Sequence, residues 1–65
     1  MQNFDKNSEE IVDQLKGISE QLADQALSVL KQAHAAGESK RPEQERTLTQ
    51  ARRAVEKAIS LLSRN

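Results

Sequence analysis

The residue best equipped for chemistry is His34, the chain's one histidine, with Glu38 four residues further on. An imidazole can act as a general base or bind a metal, and a carboxylate one helical turn away can orient it or join it as a ligand. Zinc sites need three or four ligands, and di-iron sites in helical bundles draw on Glu-x-x-His pairs. The sequence has no such pair and no cysteine, so a metal centre would need a second copy of the chain to double the ligand count. The plainer reading puts His34 half-exposed near a helix C-terminus, where its cationic form suits the dipole. No metal or cofactor is expected.

The acids Glu9, Glu10, Asp13, Glu20 and Asp24 raise the question of paired-carboxylate catalysis. Such a pair needs a shielded pocket to shift its pKa values, whereas these residues fall at a helix start or along its polar face. With one histidine available, no serine has both a base and an orienting acid nearby. Gly17 and Gly37 stand too far apart for a phosphate-cradling loop. The chain reads as a non-enzyme without a small-molecule substrate.

A third pattern is basic. Arg46, Arg53, Lys57 and Arg64 recur at intervals of 7, 4 and 7 residues, within about 40° of one another on a helix. Lys40, Arg41 and Arg52 add positive charge nearby. A stripe of this kind can track phosphates or an acidic partner. It also lies opposite an apolar face, where any helix in water keeps its charges. Phe4 is the one aromatic residue, so base stacking has little to work with. A nucleic-acid-associated regulator is the second functional reading.

Whether any of these residues meet depends on the elements that carry them. Residues 11–36 place Ile11, Leu15, Ile18, Leu22, Ala26, Val29, Ala33 and Ala36 at steps of three and four, an arc of about 80° in helical projection. Val12, Ala23, Leu27 and Leu30 form a second stripe on one flank. The pattern predicts a helix over 8–36, with residues 1–7 flexible, an N-cap at Asn7 or Ser8, and closure at Gly37. Gly17 falls on the polar face with no phase change around it, so the helix is expected to continue through it. Phe4 is a candidate to fold back over one end of the core.

Residues 37–41 read as a loop, and Pro42 suits the first turn of a second helix over 42–64, with Glu43 and Glu45 complementing its dipole. In that helix Leu48, Ala51, Val55, Ala58 and Leu62 step as a coiled-coil heptad, while Ala54, Ile59 and Leu61 widen the apolar arc to about 160°. The fold class is all-α: one domain, a two-helix antiparallel hairpin. Each helix presents more apolar surface than one neighbour can cover, and a chain of 65 residues without cysteine has little else to stabilise it. Two hairpins are therefore expected to pair into a dimeric four-helix bundle, through Ile11, Leu15, Ile18, Leu22, Val29, Leu48, Val55, Ile59 and Leu62. A different helical protein is the alternative partner.

Net charge is zero, but residues 1–39 balance at −4 and residues 40–65 at +4. Halves of opposite sign attract when packed together, and salt screens that attraction. Neither a targeting segment nor an apolar run of about 20 residues is recognisable, and the expected location is the cytoplasm. The most direct functional expectation is a small adaptor, assembly factor or regulatory subunit that works by association.

Overall fold

The computed structural model describes the backbone of residues 2–64 and the side-chain surroundings of residues 7–64. Two helices make up the fold, α1 (Gln2–Ala35) and α2 (Glu43–Ser63), and they pack against each other as a hairpin measuring 54 × 14 × 11 Å.

The start of α1 departs from the sequence reading. The helix begins at Gln2 rather than Ser8, so most of the segment expected to be flexible is helical, and Asn7 and Ser8 lie inside the helix instead of capping it. The physical reason is that residues 2–7 contain neither Gly nor Pro. Once a long helix is nucleated, each further residue costs only propagation. The expectation for the Phe4 side chain lies outside the described residues. Gly17 interrupts nothing: α1 runs through it, and a methyl group added there would meet open space.

At its far end α1 closes at Gly37, whose φ of +81° is the left-handed conformation that glycine adopts without penalty. The Glu38 amide donates to the Ala33 carbonyl and the Gly37 amide to the His34 carbonyl, each at 3.0 Å. That pair of bonds is a Schellman closure, satisfying carbonyls the helix end would otherwise leave free. Pro42 stands at the N-cap of α2, one position earlier than its spacing suggested, with extended backbone and no side-chain cap. Its carbonyl accepts from the Arg46 amide at 3.2 Å.

The seam between the helices has a clear register. On α1, Ser8, Val12, Leu15, Ser19, Leu22, Ala26, Val29 and Ala33 are buried or half-buried, alternating steps of four and three throughout, the period of a coiled-coil stripe. On α2 the inward residues include Glu45, Leu48, Val55 and Ile59. This seam is rotated from the apolar arc of the sequence. Val12 and Ser19 occupy the positions at which Ile11 and Ile18 were expected, and those two isoleucines sit on the flank, 45% and 43% exposed.

Candidate interaction surface

Ser19 explains the phase of the seam. It is 4% exposed, and its hydroxyl donates to Glu56 Oε2 at 2.8 Å while accepting from Arg52 Nε at 3.3 Å. Arg52 Nη2 and Glu56 Oε2 are 3.8 Å apart, both side chains about half exposed. A buried hydroxyl must be partnered, since leaving it unmatched would cost about 1–3 kcal/mol. Turning α1 so that Ile18 faced inward would pull Ser19 away from both partners.

A second polar group closes the seam at its loop end. Glu45 is 8% exposed, accepting from Arg41 Nε, from Arg41 Nη2 at 3.3 Å and from Thr49 Oγ1 at 2.9 Å. The hydrogen bond from Arg41, joined by that from the Thr49 hydroxyl, outweighs the opposing desolvation and holds the Glu45 carboxyl below its ordinary pKa. In each group the hydroxyl donates to a glutamate that is itself paired with an arginine, so no free base stands beside it. Both are satisfied structural sets, and the sequence reading missed them by treating charge and hydroxyl as surface.

The residues singled out for chemistry remain apart. His34 is exposed and lines an open hollow of about 650 Å³ at the loop end, with Leu30, Ala33, Glu38 and Lys40. Among the described residues no three His, Asp or Glu side chains gather as a metal shell would require. Arg46, Arg53, Lys57 and Arg64 are all exposed along α2, and none joins an ion pair among the described residues. No helix of the described residues is long and apolar enough to cross a membrane.

The residues expected to mediate association divide in two. Leu15, Leu22, Val29, Leu48, Val55 and Ile59 are half-buried in the seam, whereas Ile11, Ile18 and Leu62 are exposed beside it. Helical phase shows where that exposed set lies. Seen from the start of α1, residues advance clockwise along α1 and anticlockwise along the antiparallel α2. The flank that precedes the seam in phase therefore falls on the same side of the hairpin for both helices. On α1 it carries Ile11, Gln14, Ile18, Gln21, Gln25 and Gln32; on α2 it carries Gln44, Thr47, Ala51, Ala54, Ala58, Leu61 and Leu62.

This face holds no charged residue, in a chain that is 31% charged; Glu43, Gln50, Lys57 and Arg64 line its outer edge on α2. Depletion of charge, rather than apolarity alone, distinguishes the core of an interface from ordinary surface. The opposite face carries Leu27 and Leu30 next to Lys16, Glu20 and His34, the mixture expected where water is the neighbour. No protein-family model matches the chain, and no curated protein or solved structure is significantly similar to it.

Proposed function

We propose that this chain is a non-enzymatic interaction module, a small adaptor, assembly factor or regulatory subunit, whose hairpins pair through the uncharged face into a dimeric four-helix bundle. The observation that carries this reading is the poverty of the core. Val12 is the one buried hydrophobic residue among those described, at 8% exposure, while Ile11, Ile18, Leu61 and Leu62 stand exposed along one face. A lone hairpin of this kind removes too little apolar area from water to offset the entropy of ordering two long helices. A second layer of helices covers the exposed side chains and the half-buried seam together.

The test is sedimentation equilibrium over a wide concentration range, with helicity followed on the same samples. The expected result is a helical species at twice the 7.3 kDa chain mass, dissociating and losing helix together on dilution. A fully helical monomer at every concentration would overturn the reading, because the hairpin would then need no covering. A nucleic-acid role through Arg46, Arg53, Lys57 and Arg64 is the competing reading. It would replace this one if the chain bound duplex DNA or RNA with a steep salt dependence, and if Arg53→Glu with Lys57→Glu abolished binding without unfolding.

A further inference from the structure

The uncharged face admits two ways of stacking a second hairpin, and the structure distinguishes them. With the two-fold axis along the helices, α1 of one copy lies over α2 of the other and both loops are at the same end. With the axis across the helices, α1 lies over α1, α2 over α2, and the loops are at opposite ends. Building on the self-association proposed above, we infer that the second copy docks in the first way, loops together, and that the charges on the outer edge of α2 serve as its recognition strip.

Two gradients along the hairpin select this arrangement. The first runs along the face. Its large apolar residues, Ile11, Ile18, Leu61 and Leu62, gather at the open end, while Gln25, Gln32, Gln44 and Thr47 occupy the loop end. Only the loops-together stack sets apolar end on apolar end. The reverse stack would press isoleucine and leucine against glutamine and threonine, leaving amide groups to be desolvated without assured partners.

The second gradient is charge. Ser19 meets both Arg52 and Glu56, so residues whose numbers add to about 73 stand level on the two helices. A two-fold axis along the helices keeps that level between one copy's α1 and the other's α2. Along the outer edge of α1 the charges in order are Glu10, Asp24 and Lys31; along the outer edge of α2 they are Arg64, Lys57 and Glu43. Level with one another, these set Glu10 against the second copy's Arg64 toward the open end and Lys31 against its Glu43 toward the loop, with Asp24 and Lys57 between them. Even the one reversal of sign on each edge is matched. The crosswise stack instead sets the acidic helix on its own copy and the basic helix on its own copy. Exposed pairs of this kind contribute little to affinity and much to orientation.

The chain has no cysteine, so Ser39→Cys in the exposed loop accepts a single nitroxide label, and pulsed dipolar spectroscopy on the dimer reads the distance between the two labels. Loops together predict a separation under about 30 Å, a few helix diameters plus the label arms. A separation near the 54 Å length of the hairpin would overturn the arrangement while leaving self-association standing. A monomeric labelled chain at every concentration would overturn both. As a second readout, Glu10→Lys with Lys31→Glu reverses both level pairs without changing net charge, and should weaken the dimer at least several-fold at low salt, with the loss shrinking in high salt. An unchanged dimer in that variant would show that the edge charges play no part in orientation and would overturn the role assigned to them.

Discussion

The two ends of the hairpin are built on different physics. At the loop end the contacts are short-range and polar: the Schellman closure at Gly37 and the bonds from Arg41 and Thr49 to Glu45, each four residues apart in sequence. At the open end no turn joins the helices, and the large apolar side chains Ile11, Leu61 and Leu62 stand exposed. The first kind of contact forms locally and needs little else; the second gains only from apolar area taken out of water. The contrast teaches that the loop end rests on contacts within a few residues of one another, while the length of the seam rests on apolar area taken out of water.

The severest way to break that contrast is to put a charge into the seam. Leu22→Asp or Val55→Asp places an unpaired carboxylate at a half-buried position in the middle of the hairpin, at an expected cost of about 2–4 kcal/mol. For a domain of this size that is most of the available stability, so helicity and association should vanish together. Circular dichroism and sedimentation on the same samples check it. Full helicity with unchanged mass would remove these positions from the shared core.

A smaller effect is expected at the loop end. Gly37→Ala keeps every contact but forces a side chain into the left-handed conformation at φ +81°, at about 1 kcal/mol. The melting temperature should fall by about 4–8 °C, with the mass unchanged at concentrations well above dissociation. Because helix and dimer are lost together on dilution, the dissociation midpoint should move by no more than that same ~1 kcal/mol per chain; a larger shift would show that the two ends are not as independent as their contacts indicate.

The hairpin itself was legible in the sequence: the helical spacing of Leu15, Leu22, Val29, Leu48 and Val55, the glycine at 37 and the proline at 42 define two helices and a turn. The rotation of α1 was not. Averaging hydrophobicity around a helix weights Ile11 and Ile18 heavily and Ser19 hardly at all, yet the serine is inside because Arg52 and Glu56 lie across from it. Partners thirty and more residues away leave no mark on local periodicity. Glu45 was misjudged in the same way. A glutamate in the first turn of a helix reads as solvated charge, and only the turn that brings Arg41 and Thr49 around it makes it part of the seam.

Ser19→Ala sharpens this point about phase. Removing the hydroxyl leaves Arg52 and Glu56 half exposed and still able to pair with each other or with water, so the expected loss is under about 1 kcal/mol. What should change is uniqueness: without the serine, nothing polar resists a rotation of α1 that brings Ile18 inward. Amide exchange around residues 15–22 should accelerate more than the melting temperature falls. Equal small changes in both would mean that apolar packing alone sets the phase.

The mildest break is a proton. Arg41 and Thr49 hold the Glu45 carboxyl below its ordinary pKa in the folded chain. A carboxylate with a depressed folded pKa stabilises the fold fully above its unfolded pKa, and loses that contribution as pH falls through the lowered folded value. The chain should therefore be insensitive to Glu45 near neutrality and become less stable as pH drops below the usual carboxylate range of about 4. Other carboxylates titrate over the same window, so the informative quantity is the difference between the chain and Glu45→Gln. The glutamine can still accept from Thr49 but loses the ion pair with Arg41. Melting temperatures of the two should differ at neutral pH and converge in acid. A gap that stayed constant with pH would show that the Arg41–Glu45 pair contributes through shape rather than charge, and the loop end would then rest on its Schellman closure.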